Sequence, residues 1–226
     1  MSVDPAMRQV VGGRAEERTT ASTSLMGRFE TDILTQPQNL KLLMKLPGIW
    51  VDKVHHRKRI KEMILDMDSS VSPTYGNQEG SAYNGYFECT CYHPIFCFNQ
   101  FGDIERVLLR SGNVYSSYKW QSVLEPIVER YRDYNIARFF RGDAAFADPN
   151  VYCYLEAEGY FYAIRLKDNA ILHKKIDHLM TRRPVGRPPK KPVVLYHSFQ
   201  YKAARAIVNV VVKYIIFACS IFITDV

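Results

Sequence analysis

Short apolar runs alternate with amphipathic segments through the middle of the chain. Apolar runs that predict buried strands cover residues 63–67, 93–98, 105–109, 136–140 and 160–166. Apolar residues at helical spacing predict a helix over 120–131, with Pro126 as a possible kink. Asp148-Pro149 as a cap and Gly159 as a stop predict a second helix over 150–158. Strands that alternate with helices predict an α/β fold with a mixed sheet covered by helices.

The segment before this alternation is polar, apart from one apolar stripe. Leucines at 40, 42, 43 and 46 predict a helix over 39–46. Pro47-Gly48 is expected to end that helix.

The last part of the chain has two unusual segments. Residues 181–192 are rich in proline and basic residues, which is typical of an exposed loop. Residues 206–223 are mostly apolar and have about the minimum length for a bilayer span. Asn209 and Lys213 interrupt this stretch, so two buried strands or a broken core element are favoured over a membrane anchor.

Composition adds a hint about the partner. With 226 residues, the chain can form one large domain or two small ones. The net charge of +7 favours a polyanion such as DNA. Five cysteines without a CxxC pair argue against a disulfide framework and favour a reducing cytoplasm. Cys89, Cys91 and His93 can form a metal triplet, but alternate residues of a strand also share one packed face.

Carboxylates close two of the predicted strands. Asp66 and Asp68 follow the run 63–67, and Asp143 follows the run 136–140. Mg²⁺ takes hard oxygen ligands, and two such ions can stabilise both the attacking and the leaving oxygen of a phosphoryl transfer. An aspartate at a strand end is also a common turn or helix-cap residue, so spacing leaves both interpretations open.

The first pair of carboxylates lies in a longer recognisable block. Residues 66–85, from Asp66-Met67-Asp68-Ser69-Ser70 to Tyr83-Asn84-Gly85, closely resemble the first-aspartate block of bacterial insertion-sequence transposases of the first DDE group, in the branch named for insertion sequence 1380. The resemblance spans roughly residues 3–203. Its further blocks are Asp4-Pro5-Ala6-Met7-Arg8, Met26-Gly27-Arg28-Phe29-Glu30, Cys91-Tyr92-His93-Pro94, Leu109-Arg110-Ser111-Gly112-Asn113-Val114, Arg141-Gly142-Asp143-Ala144-Ala145-Phe146-Ala147, Glu156-Ala157-Glu158-Gly159-Tyr160 and Tyr162-Ala163-Ile164-Arg165-Leu166.

The resemblance implies a ribonuclease-H-like core with a mixed sheet flanked by helices. In that family two aspartates and a distant glutamate bind two Mg²⁺ ions, for which Mn²⁺ can substitute, and DNA is cut and rejoined. Asp68 matches the first aspartate, with Asp66 as the alternative, and Asp143 matches the second. The implied partners are the terminal inverted repeats and target DNA, with a homo-oligomer in the full-length family and no membrane. Site-lining or DNA-contacting positions are Gln78, Tyr83, Asn84 and Arg141.

The third acid is missing from the pattern. The family glutamate lies on a late helix after a β-rich insertion, and nothing after Asp143 matches it. Glu156 and Glu158 belong to a different block. The resemblance therefore indicates the start of the β-rich insertion and no visible final catalytic helix. It implies a truncated copy, with a frameshift as one explanation, and this copy is expected to be inactive alone.

Four regions follow from the resemblance. They are an N-terminal helical and polar part (1–60), the DDE catalytic core (61–170), a basic insertion region (171–203) and a divergent apolar tail (204–226). The insertion contains a Gly-Arg-Pro core that resembles the AT-hook, a motif that binds the minor groove of DNA. For this core, contact with DNA phosphates or a solvated loop is favoured over base-selective binding. Its candidate DNA-binding residues are Arg182, Arg183, Arg187 and Lys190.

Three functional hypotheses follow. The favoured hypothesis is a bacterial, cytoplasmic and nucleoid-associated DDE transposase lineage. The second is a non-catalytic DNA-binding remnant of such a transposase. The third is a membrane-associated protein with a C-terminal anchor.

Overall fold

The structure is a computed structural model that describes residues 4–6, 9, 22–167, 169–180, 194–203 and 206–215. The chain divides into two compact units, Met1–Leu46 and Pro47–Val226. In the first unit, helix α1 (Thr23–Arg28) begins at Ser22, whose Oγ accepts the N–H of Leu25 at 3.2 Å. A π-helical turn over Phe29–Leu34 follows it. Side-chain capping of this kind satisfies an otherwise unpaired donor of the first turn.

Helix α2 runs from Pro37 to Arg57 without interruption. The expectation that Pro47-Gly48 ends this helix is therefore wrong. Gly48 is buried, and a Cβ atom at this position would overlap the guanidinium of Arg130. Glycine at 48 thus permits a close approach inside the helix. The proline removes only one helical hydrogen bond, which the packing of the following turns offsets.

The second unit is built on a five-stranded sheet. Its strands are β1 (Glu62–Ser69), β5 (Ile95–Phe98), β6 (Ile104–Leu108), β7 (Ala137–Gly142) and β8 (Phe161–Ile164). They lie in the order β6-β5-β1-β7-β8. β1 pairs antiparallel with β5 and parallel with β7, and β7 pairs parallel with β8. The sheet is therefore mixed, as the sequence predicts.

A smaller sheet follows β1 directly. It contains β2 (Ser72–Pro73), β3 (Ala82–Asn84) and β4 (Cys89–Tyr92) in the order β2-β4-β3. The Cys/His triplet belongs to this region: Cys91 and His93 are buried, and the Nδ1 of His93 lies 2.9 Å from the carbonyl oxygen of Val114. These contacts favour packing over metal binding for the triplet.

Three helices cover one face of the large sheet. They are α3 (Gln121–Tyr131), α4 (Pro149–Ala157) and α5 (Ala170–Met180). The alternation along β1 decides which side chains meet them, because Met63, Leu65 and Met67 are fully buried in the common core. Asp66 and Asp68 therefore point to the opposite face. The predicted fold class, a mixed α/β sheet with flanking helices, is confirmed.

A two-stranded hairpin follows these helices. β9 (Val194–Ala203) pairs antiparallel with β10 (Ala206–Ile215), and Phe199 and Tyr201 of β9 pack against the core. The apolar stretch thus begins with a strand, as favoured from the sequence. No helix within the described ranges is long and apolar enough to cross a membrane. The basic segment with Arg182, Arg183, Arg187 and Lys190, and residues 216–226, lie outside the described residues.

Candidate functional site

The candidate carboxylates lie where β1 and β7 end side by side. The parallel register pairs Asp66 with Arg141 and Met67 with Gly142, and these are the last paired residues. Asp68 directly follows Met67 in β1, and Asp143 directly follows Gly142, the last residue of β7. Because the carboxyl ends of parallel strands open at one edge of a sheet, ligand sites commonly form there. We refer to Asp68 and Asp143 together as the carboxylate edge.

Asp68 is exposed and is fixed by its own backbone. Its Oδ1 accepts the N–H of Ser69 at 2.7 Å. Partial burial raises the pKa of Asp68, and the negative charges of Asp143 and Asp66 raise this pKa further, against the opposing effect of the Ser69 hydrogen bond. The negative charges of Asp143 and Asp66 thus act on Asp68, and a bound cation would offset them.

Asp143 has one of the two roles left open by the sequence, that of a cap residue. Its Oδ1 caps a single 3₁₀ turn over Ala144–Phe146 by accepting the N–H of Ala145 at 3.0 Å. Phe146 is fully buried and anchors this turn in the core. The cap therefore holds the carboxylate at the end of β7, and capping does not exclude metal binding.

Asp66 is engaged by Arg141. The guanidinium Nη2 donates to Oδ2 of Asp66 at 2.6 Å, and both side chains are about half exposed. The pair explains why Asp66 differs from Asp68, although both lie on one face of β1. Arg141 therefore offsets part of the charge of Asp66, whereas Asp68 and Asp143 form no ion pair within the described residues. The predicted DNA contact of Arg141 would have to use its remaining donors.

Asn84 and Gln78 lie in and beside the small sheet. The Nδ2 of Asn84 donates to the carbonyl oxygen of Gly112 at 2.6 Å, and its Oδ1 accepts the N–H of Tyr86 at 2.9 Å. These bonds give Asn84 a structural role in the β3–β4 turn. Gln78 is exposed, so its role in DNA contact stays a prediction.

The two glutamates that follow Asp143 are engaged with other groups. Glu156 accepts the hydroxyl of Tyr162 at 2.9 Å, and Glu158 pairs with Arg132 at 2.9 Å. Within the described ranges, no group of three His, Cys, Asp or Glu side chains is arranged to hold a metal ion. The donor chemistry of Asp68 and Asp143 still fits one hard divalent cation, since Mg²⁺ in phosphoryl-transfer sites commonly takes one or two carboxylates plus substrate oxygens.

One buried arginine, which the sequence does not predict, holds backbone carbonyl groups in place. Arg110 is 5% exposed, and its guanidinium donates to the carbonyl oxygens of His93 at 2.7 Å, Ser116 at 2.8 Å and Tyr118 at 2.6 Å. Burial lowers the pKa of Arg110 to about 10, so the side chain stays charged at neutral pH. It therefore holds the loop after β6 against the small sheet. An arginine in a polar segment gives no sequence signal of this role.

A second polar network anchors helix α2. Glu105 is 1% exposed, forms an ion pair with Arg130, and accepts the hydroxyl of Tyr131 and the Nδ2 of Asn99, each at 3.0 Å. Arg130 also lies 3.3 Å from Asp52 of α2. The hydroxyl oxygen of Tyr131 lies 3.3 Å from Nδ1 of His55. We call these residues the Glu105 network.

Comparison with known proteins assigns the family. The family model described as Transposase DDE domain group 1 matches residues 1–213. The chain therefore belongs to this transposase family. No curated protein sequence matches it significantly.

Two solved structures are similar over most of the chain. The first is a piggyBac transposase synaptic complex with hairpin DNA, with 12% identity over 92% of this chain and 46% of that chain, at a TM-score of 0.39. The second is a Mos1 transposase paired-end complex with the left transposon end, with 13% identity over 80% of this chain and 66% of that chain, at a TM-score of 0.31. The chain thus spans about half the length of the first of these transposases.

The repulsion at Asp68 leads to a first prediction. We expect Asp68→Asn to stabilise the protein at pH 7 by about 0.3 kcal/mol after solvent screening, or roughly 1 °C in Tm. The pKa of Asp68 is raised in the folded state, so ionisation opposes folding. The gain should therefore appear as pH rises through the ordinary aspartate range and vanish near pH 3. Differential scanning fluorimetry between pH 3 and 7 measures it.

Asp133→Asn provides the matched control, because Asp133 is an exposed aspartate after α3. The Tm of this control variant should differ little from that of the wild type at pH 3 and at pH 7. An Asp68→Asn variant that is less stable than the wild type at pH 7 would contradict the repulsion argument.

Proposed function

We propose that this chain is a DNA transposase of a bacterial insertion sequence, in the branch named for insertion sequence 1380. Its chemistry is cleavage and rejoining of phosphodiesters at terminal inverted repeats and target DNA. The observation that carries the proposal is the register of β1 and β7, because Met67 and Gly142 are the last paired residues and Asp68 and Asp143 follow them. Family membership supports DNA as the substrate class.

The carboxylate edge is the proposed metal site. Asp68 and Asp143 would hold Mg²⁺, or Mn²⁺ in its place. When bound, a divalent cation polarises a phosphodiester oxygen and lowers the pKa of a bound water. The Ser69 and Ala145 N–H groups keep the two carboxylates in place before any cation arrives. Strand ends fix such ligands better than loops do.

The remaining assignments belong to the same proposal. Residues 1–60 would contribute DNA binding or dimerisation, residues 61–170 the catalytic core, residues 171–203 a basic insertion, and residues 204–226 a divergent tail. Cytoplasmic, nucleoid-associated action on duplex DNA as a homo-oligomer fits this assignment. The DNA contacts would come from Gln78, Asn84, Arg141, Arg182, Arg183, Arg187 and Lys190.

We further propose that the chain alone does not complete the catalytic reaction. Its two free carboxylates suit one cation, whereas the two-metal mechanism of the family uses a third acid. Glu156 accepts a hydrogen bond from Tyr162, and Glu158 pairs with Arg132. This engagement favours the second candidate function, in which the chain occupies DNA without cutting it.

Metal binding and nicking test these two statements separately. We expect Mn²⁺ to bind the wild-type chain weakly, and Asp143→Asn to weaken this affinity at least roughly tenfold, as loss of a metal ligand does. Electron paramagnetic resonance of free Mn²⁺ measures the affinity. A labelled transposon-end duplex incubated with Mg²⁺ or Mn²⁺ should remain uncut.

Each assay has a contradicting outcome. Unchanged Mn²⁺ affinity in a folded Asp143→Asn variant would remove the metal site from the carboxylate edge. Nicking by the wild type that Asp143→Ala abolishes would overturn the proposed inactivity and would require a third ligand. Asp133→Asn, at an exposed aspartate away from the strand ends, should leave the Mn²⁺ affinity unchanged.

A further inference from the structure

A cavity lies at the opposite end of β1 from the carboxylate edge. Its volume is about 420 Å³, which is within the usual range of ligand sites. One wall is the end of α2 and the segment that joins it to β1, residues 58–62. The other wall is the turn between β5 and β6, with Gln100, Phe101 and Asp103.

Three of the ten residues that line the cavity are cationic. Residues 53–61 contain five lysines and arginines and no acidic residue. Lys58, Arg59 and Lys61 line the cavity, and all three are exposed. The opposing carboxylates are Glu62 and Asp103. This local excess of positive charge suits an anionic ligand.

His55 adds a buried nitrogen at the cavity wall. The residue is 4% exposed, and the Nδ1 of its ring lies 3.3 Å from the hydroxyl oxygen of Tyr131. When the Tyr131 hydroxyl donates to Glu105, its oxygen can accept the Nδ1–H of His55, which leaves Nε2 unprotonated in the neutral ring. The other ring nitrogen, Nε2, is buried and has no hydrogen-bond partner within the described ranges. Such an atom carries a cost that a ligand can remove.

We propose that this cavity binds a backbone phosphate of duplex DNA through Lys58, Arg59, Lys61 and the Nε2 of His55. The choice of DNA as the polyanion rests on the proposed transposase function. Phe101, which is 56% exposed and lies edge-on to His55 with 6.1 Å between ring centroids, forms an apolar rim. The ring of His55 must be protonated to donate to the phosphate.

The position of the cavity relates it to the carboxylate edge. Glu62 lies at the cavity and Asp68 at the edge, six residues apart on one strand. At about 3.3 Å per residue, this separation is roughly 20 Å. A duplex rises about 3.4 Å per base pair, so one continuous duplex reaches both places across about six base pairs. The cavity would then set the register of the DNA at the carboxylates.

A charge-matched pair of double variants tests the proposal. Lys58→Ala/Lys61→Ala removes two cavity lysines, and Lys119→Ala/Lys167→Ala removes two exposed lysines that lie outside residues 1–60 and do not line the cavity. Fluorescence anisotropy with a labelled 30-base-pair duplex across a KCl series measures both. We expect the cavity variant to bind roughly tenfold more weakly at 0.1 M salt, with a salt slope smaller by about 2, because each lost phosphate contact lowers the slope by about 0.9. The control should bind like the wild type.

A second readout reports on the cavity itself. NMR resonances of the His55 ring, assigned with His55→Gln, give its pKa with and without the duplex. Burial lowers the pKa of His55, with Arg130 acting in the same direction and Asp52 and Asp103 opposing it. A bound phosphate should raise this pKa, because it stabilises the protonated ring. The groups that face the ring or line its cavity are Asp52, Lys58, Arg59, Lys61, Glu62, Asp103, Glu105, Arg130 and Tyr131.

Two results would overturn the proposal. One is equal weakening by the two double variants, which would indicate general attraction to charge. The other is a His55 pKa that does not change when the duplex is saturating. These results are independent of the nicking assay. The cavity variant can weaken DNA binding even if the carboxylate edge binds no metal. In that case this inference stands and the transposase proposal fails.

Discussion

Replacing Glu105 with glutamine is expected to lower the free energy of unfolding by about 3 kcal/mol, because a buried ion pair loses one partner. Glu105 is almost fully buried and receives the guanidinium of Arg130, the hydroxyl of Tyr131 and the amide of Asn99. The substitution leaves Arg130 with Asp52 as its remaining acidic partner. Urea denaturation followed by tryptophan fluorescence measures the loss.

The same substitution at an exposed position provides the control. Glu125 lies on α3 and is exposed, so Glu125→Gln should change stability by less than about 0.5 kcal/mol. A double variant, Glu105→Gln/Arg130→Met, should be less destabilised than the sum of the two single variants, because the pair is removed together. A Glu105→Gln variant as stable as Glu125→Gln would show that the ion pair adds nothing to folding.

Arg110→Ala is expected to destabilise the protein by about 3 kcal/mol or more. The substitution leaves buried carbonyl oxygens without a hydrogen-bond donor and creates a cavity. The guanidinium satisfies carbonyl oxygens of His93, Ser116 and Tyr118. A lysine cannot reproduce this planar set of donors, so Arg110→Lys should recover only part of the loss. Urea denaturation measures both variants.

Arg106 provides the comparison for Arg110. Its Nε donates to one carbonyl oxygen, that of Ser122, at 3.0 Å. Arg106→Ala should therefore cost about 1 kcal/mol. Equal losses for the two arginine variants would mean that the buried carbonyl contacts of Arg110 do not set its contribution.

The sequence predicts the five strands of the large sheet, because short apolar runs mark them. β1 and β7 were both expected near their observed positions for this reason. Their pairing register was not predictable, since it depends on contacts between distant parts of the chain. The family resemblance thus implied that Asp68 and Asp143 lie together at one edge of the sheet. The structure was needed to show that the charge of Asp143 acts on Asp68.

The failures have identifiable physical causes. Pro47-Gly48 has the local signature of a helix end, but the approach of Arg130 to Gly48 favours continuation of α2. Helix α5 was missed because, among its residues 170–178, the fully buried ones are Leu172 and Ile176, which give only a short apolar stripe. The sequence does not predict the Glu105 network, because a glutamate within a short strand usually lies on a solvated face.

The pairing of β1 with β7 also has a consequence for the order of folding. Asp66 and Arg141, which meet in this pairing, are 75 positions apart in the chain. Closing so long a loop costs entropy before any contact compensates for it, and parallel pairing of distant strands is slow. The antiparallel partners β5 and β6 lie closer in sequence and can join β1 earlier. During synthesis, the two carboxylates therefore meet only after β7 has left the ribosome, so the proposed metal site forms late in synthesis.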